Sequence, residues 1–239
     1  MIVEGVCEAI LIKGSIGRGE DDEYSDVDMY VVVSEEKMEA FLGKRVEYLE
    51  KYLPLLYVEH VNFVAEQIVA IYENGLHFDL YTVTEKSLPH TDQAKVIYDP
   101  GNKFINYEAE IRIVSKEELA AHFQECLYYF VEADGAFCRG NYPWAAYIMS
   151  SALANSAIIL RYLFDKEHAY LGLKRINAVI PEEQFSWIVE ASANFNEEGF
   201  RTANGFIVKI LEYIIEHIEL DVKDLFNLKF FQWIRTTQI

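Results

Sequence analysis

Basic residues are scarce in this chain. Against 39 aspartates and glutamates stand 21 lysines and arginines, a formal charge of −18. Neutralising a nucleic-acid backbone takes clustered cations, and the densest basic stretch, Lys44-Arg45 with Lys51, is slight. The charge therefore argues against a nucleic-acid backbone as the main partner. The same field draws cationic small molecules, although acidity that serves only solubility is the plainer reading of charge alone. Cysteine is sparse too. Cys7, Cys126 and Cys138 form no CxxC and have no Cys/His ligand spacing, which excludes a disulfide framework and a zinc site. Reduced thiols in a cytoplasm follow as the natural expectation. There is no uninterrupted apolar run of about 18 residues or more, and no basic-then-apolar leader opens the chain. The expectation is a soluble protein that is not exported and has no membrane partner. Internal repeats and low-complexity tracts are absent as well.

What is present is ample apolar material, 51% of 239 residues, enough for one large domain or two modest ones. The stretch from Lys13 to Val33, KGSIGRGEDDEYSDVDMYVVV, concentrates the chemistry. It reads as a strand ending at Lys13, a tight Gly14-Ser15 turn and a short polar loop carrying Arg18. The chain then re-enters a strand through Asp26-Val27-Asp28. Residues two apart on a strand share a face, so Asp26 and Asp28 set two carboxylates side by side. Such pairs hold Mg²⁺, which takes oxygen ligands and is commonly bound through one or two carboxylates plus substrate phosphates. Two alternating acids entering an apolar strand would be costly without a cation. Asp21, Asp22 and Glu23 read as a solvated acidic loop.

Around this stretch the pattern predicts a helical turn or two over residues 1–9 and a buried strand over 9–13. A helix is expected from Ser34 to about Tyr52, before Pro54, then a strand over 55–65. Runs 67–72 and 76–83 flank Glu73-Asn74-Gly75, a strong hairpin signal. The second arm puts Asp79 on one face with His77 and Tyr81. His77 reads as structural or as a substrate contact, since hard Mg²⁺ does not favour imidazole. A short strand over 94–98 closes this half. From Ser115 the chain reads as helical throughout. A capping box at Ser115–Glu118 opens a helix to about Arg139, Pro143 starts one to about Phe164, and Pro181 opens a third. Residues 198–219 and 222–234 supply the last two. Strands first and helices later give an α+β class, with a small mixed β-sheet domain and flanking helices over 1–108 and an all-α bundle over 109–239. The aromatic load of the second half (Trp144, Tyr147, Trp187, Phe230, Phe231, Trp233) is either core or interface.

Gly14-Ser15-x-Gly17-Arg18, with ten residues between Ser15 and Asp26-x-Asp28, resembles the nucleotidyltransferases of the polymerase-β superfamily, in particular the kanamycin-type aminoglycoside nucleotidyltransferases. Phe78-Asp79-Leu80-Tyr81 looks like that family's third acid on a later strand. Residues 96–99 and the helical second half are similar as well. The resemblance implies Mg²⁺-dependent transfer of a nucleoside monophosphate from ATP or another NTP to a hydroxyl, releasing pyrophosphate. It implies a small hydroxylated acceptor such as an aminoglycoside, an antibiotic-resistance-like role, and a homodimer. Gly14, Ser15 and Arg18 would hold phosphates. Asp26, Asp28 and Asp79 would bind one or two metal ions.

The family's general base is a glutamate early in the helical half, and Glu132-Ala133-Asp134-Gly135-Ala136-Phe137 looks like that segment. On a helical wheel the apolar stripe is Leu119, Phe123, Leu127, Phe130 and Phe137, with Glu132, Tyr128, Ala136 and Arg139 opposite. Periodicity alone makes Glu132 a solvated side chain, whereas the resemblance makes it the base. Asp134, within the stripe, is either a hydrogen-bonded structural acid or the rival base. The family carries a lysine four residues after its glutamate. Ala136 stands there, and Arg139 is the candidate substitute for holding phosphate. Two other readings remain. One is the same fold acting on a protein or tRNA acceptor, and the other is a non-catalytic, antitoxin-like binding partner.

Overall fold

The computed structural model describes residues 1–2 and 4–237, in two compact units, 1–111 and 112–239. The first unit is built on a six-stranded mixed sheet of order β3-β4-β5-β2-β1-β6. Its strands are β1 (Cys7–Ile12), β2 (Val27–Val33), β3 (Leu55–Asn62), β4 (Glu66–Tyr72), β5 (His77–Val83) and β6 (Lys95–Tyr98). β2 and β5 run parallel and the other neighbours pair antiparallel. The α+β class expected from the sequence is what the chain adopts.

Alternation along the strands gives the sheet two different faces. Ile10, Val31, Val33, Ile68, Ala70 and Leu80 point to one, where they bury Phe41, Tyr48 and Leu49 from the short helices α2 (Met38–Leu42) and α3 (Arg45–Leu49). Ala9, Leu11, Tyr30, Val32 and Val83 point to the other, beneath Leu88 and Phe104. The Asn74-Gly75 hairpin forms as expected, with Gly75 at φ +83°.

Local details depart from the sequence reading. Among the described residues no helix precedes β1: residues 2, 4 and 5 lie in a turn and the strand begins at Cys7. Gly14–Arg18 closes one helical turn, α1, rather than a tight turn and loop. The single helix expected over 34–52 is a 3₁₀ turn, Glu35–Lys37, followed by α2 and α3, broken at Gly43-Lys44.

The second unit is all helical: α4 (Lys116–Cys138), α5 (Tyr142–Tyr162), α6 (Glu182–Ala193), α7 (Phe200–His217), α8 (Leu220–Lys223) and α9 (Leu228–Thr237). The expected capping box opens α4. The Ser115 hydroxyl accepts from the Glu118 N–H at 3.1 Å and the Glu118 carboxylate accepts from the Ser115 N–H at 2.8 Å. One helix expected over 222–234 is in fact two, interrupted at residues 224–227. Two 3₁₀ segments, Lys166–Leu171 and Ile176–Ala178, carry no helical signal that the sequence reading detected. The core runs along α4 through Phe123, which stacks on Phe226 with centroids 4.1 Å apart. Trp187 and Phe231 are core. Trp144, Tyr147 and Trp233 are exposed. Among the described residues α5 is the helix long and apolar enough to cross a membrane, and half of its apolar window is buried within the fold.

Candidate active site

The parallel pairing of β2 with β5 sets Asp28 directly opposite Asp79, and Tyr30 opposite Tyr81. Since side chains two apart share a face, the two aspartates and the two tyrosines stand on one side of the sheet. The tyrosine rings stack with centroids 4.3 Å apart and planes 8° from parallel. Burial, then the Asp28, Asp79 and Asp26 carboxylates, push the Tyr81 hydroxyl well above its ordinary pKa. Asp28 and Asp79 from two strands, and Asp26 from the residue before β2 rather than within it as expected, therefore act on one hydroxyl.

Gly14 brings the end of β1 against these carboxylates. Its φ is +62°, and a Cβ there would lie 2.0 Å from Asp28 Oδ2. Glycine is required at this position both for backbone conformation and for space. The Lys13 N–H also donates to the Asp28 carbonyl at 2.9 Å, fixing α1 beside β2. Gly17 serves a second close approach, because its Cβ would meet the Gln93 carbonyl oxygen at 2.5 Å. Ser15, on the same helical turn, has its Oγ buried without a hydrogen-bond partner. An orphaned hydroxyl beside a pair of aspartates marks a place where a ligand supplies the missing bonds.

Asp79 is 8% exposed and its Oδ1 has no hydrogen-bond partner. His77 Nε2 stands 3.3 Å away, out of hydrogen-bond alignment. No three His, Cys, Asp or Glu side chains among the described residues are gathered into a ready metal cage. A carboxylate pair with an unsatisfied buried oxygen still suits Mg²⁺, which completes its shell with water and phosphate oxygens. The donor set thus fits the ion, through Asp28 and Asp79 with Asp26 beside them.

Arg18 has partners within the protein. Nη1 donates to Asp92 at 2.7 Å and Nε to Glu20 at 2.9 Å, with the side chain 8% exposed. The ion pair pins the segment from Pro89 to Gln93 against α1. Lys13 pins it a second time. This lysine is 3% exposed, donates through Nζ to the Pro89 carbonyl, and lies 4.6 Å from the centre of the Tyr30 ring and 5.4 Å from that of Tyr107. Burial lowers its pKa to about 8, with Asp92 opposing the shift. The Tyr107 hydroxyl adds a bond to the Asp92 carbonyl at 2.8 Å. Neither Asp92 nor the burial of Lys13 was anticipated from sequence; no local pattern links positions so far apart in the chain.

In the helical unit, Glu132 and Arg139 are exposed on α4, and Arg139 folds back to within 3.0 Å of where a Cβ on Gly135 would sit. Asp134 is ion-paired to Arg201 at 2.6 Å. Ala136 was expected on the exposed face and is instead 5% exposed, within the core. With Ala133 it widens the apolar stripe, because α4 packs against α5, α8 and α9 rather than a single neighbour.

No protein-family model matches the chain. No curated protein matches it. Among solved structures it is similar to an aminoglycoside 6-adenyltransferase from Bacillus subtilis, at 10% identity and a TM-score of 0.38 over 97% of this chain and 92% of that one. It is similar also to a nucleotidyltransferase-like protein from Exiguobacterium sibiricum, at 13% identity and a TM-score of 0.38 over 98% of this chain and 75% of that one. Superposition this loose transfers no residue roles.

Proposed function

We propose that this protein is a Mg²⁺-dependent nucleotidyltransferase that moves a nucleoside monophosphate from ATP, or another NTP, to a hydroxyl of a small acceptor such as an aminoglycoside. The observation that carries the reading is the convergence of Asp28 and Asp79, opposite one another on parallel strands, on the glycine turn that holds the orphaned Ser15 hydroxyl. Acids in that position serve metal-assisted phosphoryl chemistry, and the adjoining hydroxyl and N–H groups suit phosphate oxygens.

In the transfer, the acceptor oxygen bonds to the α-phosphorus while the bond from that phosphorus to the bridging oxygen breaks. The bond's electron pair leaves with pyrophosphate, and the acceptor proton passes to a carboxylate base. Mg²⁺, where bound, would neutralise charge on the phosphates and make the phosphorus easier to attack. Asp26, Asp28 and Asp79 would hold the ion, and Ser15 and the N–H groups of α1 would hold the terminal phosphates. Arg18, tied to Asp92 and Glu20, acts on the donor by bracing α1. For the base, Glu132 is the carboxylate of the helical unit to test first, because Asp134 is already neutralised by Arg201. Arg139 remains a candidate for phosphate.

The test is pyrophosphate release with ATP and Mg²⁺ across a panel of aminoglycosides. Acceptor-dependent release that falls roughly a thousandfold in Asp28→Ala is expected, about 4 kcal/mol of barrier. Glu132→Gln should lower kcat by about a hundredfold or more if Glu132 is the base. Release that survives intact in Asp28→Ala overturns the reading, as does a wild-type protein with no Mg²⁺-dependent nucleotide binding.

A further inference from the structure

One helical turn, α1, carries Ser15, and little within that turn fixes where it stands. It is five residues long, Lys13 before it supplies no side-chain cap, and no acid lies in its first turn. A single turn orders several residues for few hydrogen bonds and is unstable alone in water. The placement of Ser15 is therefore decided by what packs around α1. On one side Gly14 abuts the Asp28 carboxylate. On the other stands Asp92, in the connection between β5 and β6 and 74 residues from Arg18 along the chain.

Every oxygen of Asp92 is engaged. Oδ2 accepts from Arg18 Nη1 at 2.7 Å, Oδ1 from the Gln93 N–H at 2.8 Å, and the carbonyl from the Tyr107 hydroxyl at 2.8 Å. The neighbourhood of Asp92 is held from the side away from α1. The His90 carbonyl accepts from the Glu110 N–H at 2.6 Å, and the His90 ring stacks on Tyr107 with centroids 4.7 Å apart. Residues 89–93 are thus a fixed support, and α1 is the part that needs one. Glu20 also pairs with Arg18, but it lies two residues away, moves with α1 and cannot anchor it. Gly17 shows how closely the turn is seated, since a Cβ there would meet the Gln93 carbonyl oxygen at 2.5 Å.

We propose that Asp92 is a positioning residue for the nucleotide: through Arg18 it sets α1 so that the Ser15 hydroxyl meets the donor's phosphates. Asp92 acts on Arg18 and not on the donor. The Arg18 side chain is 8% exposed and that of Asp92 21%, so their charge-assisted bond is largely shielded from water. Cutting one partner from such a pair makes the other seek new contacts, and here the guanidinium would carry the end of α1 with it. The inference rests on the nucleotidyl-transfer reading, and it gives an acid far from Asp28 and Asp79 in the sequence a part in donor affinity.

Calorimetric titration of the full chain with Mg²⁺ and a non-hydrolysable ATP analogue tests it, beside the kinetics of pyrophosphate release. Asp92→Asn, which keeps the size and loses the charge, should weaken the analogue about tenfold, and Asp92→Ala somewhat more. The KM for ATP should rise by the same factor while the KM for the acceptor stays put. Asp92→Glu should recover part of the loss. Because Asp92 acts through Arg18, Arg18→Ala combined with Asp92→Ala should bind no worse than Arg18→Ala alone. A merely structural role predicts otherwise: fewer folded molecules, hence a lower kcat with both KM values and the analogue's affinity unchanged. That pattern would overturn the inference, as would losses that add in the double variant. A wild-type protein that does not bind the analogue would sink the transfer reading and this inference together, whereas wild-type binding that Asp92→Asn and Asp92→Ala leave intact would sink this inference alone.

Discussion

The two faces of the six-stranded sheet are made by the same strands and do opposite things. On one, Phe41, Tyr48 and Leu49 close over Val31, Ile68 and Leu80, and the buried side chains are almost all apolar. On the other, the same alternation delivers Asp28, Tyr30, Asp79 and Tyr81, and leaves buried polar atoms without partners at Ser15, His77 and Asp79. An unpaired buried polar atom costs on the order of 1–3 kcal/mol. The first face has such atoms too, at Arg45 and Thr82, but on the second they gather beside a pair of carboxylates, where a ligand can offset the cost. One residue of register slip between β2 and β5 would exchange the two roles, which is why the pairing of Asp28 with Asp79 is so informative.

The sharpest way to break this comparison is to truncate one residue on each face. Phe41 is fully buried, so Phe41→Ala should cost about 3–5 kcal/mol in a denaturant titration. Asp28→Ala, by contrast, should leave the midpoint unchanged or raised, because it removes one of two facing carboxylates, while lowering turnover roughly a thousandfold. Loss of stability in Asp28→Ala equal to that in Phe41→Ala would mean that the aspartate face is structural after all.

Gly14→Ala probes the seam between the faces and should have the next largest effect. The new methyl would have to displace Asp28 Oδ2 from 2.0 Å and would strain a residue at φ +62°. A destabilisation of about 1–3 kcal/mol is expected, with turnover reduced roughly a hundredfold by displacement of the carboxylate. Gly19→Ala is a useful control, because its φ is also positive, at +71°, but no atom lies within 4 Å of the added carbon. Equal loss of activity in the two variants would show that backbone strain, not the Asp28 contact, is what matters at Gly14.

How far the sequence reaches follows the same division. The β-branched run at 31–33, the Asn-Gly turn and the Ser115 capping box are local signals, and each produced the element expected of it. What escaped depends on contacts between distant positions. Arg18 is paired with Asp92, 74 residues on, and no local pattern signals that partner. Ala136 reads as exposed until α8 and α9 join α5 around α4. The breaks at Gly43 and at residues 224–227 were missed because helical periodicity continues across both.

Lys13 offers the smallest effect and the finest test of how the site face is braced. Its pKa is lowered from 10.5 to about 8 by burial, against the pull of Asp92. The folded chain therefore releases this proton before the unfolded chain does. Between about pH 8 and 10.5 the unfolded state binds more protons, so this group makes stability rise with pH across that window. Tyr30 and Tyr81, whose ionisation burial delays, act in the opposite sense above pH 10. Comparison with Lys13→Met cancels that contribution. The wild type should gain stability relative to the variant as pH climbs from 8 to 10, read as the difference between two denaturant midpoints. A difference that stays flat would mean that Lys13 keeps its proton in the fold, held by the Pro89 carbonyl and the two tyrosine rings more firmly than burial disfavours it.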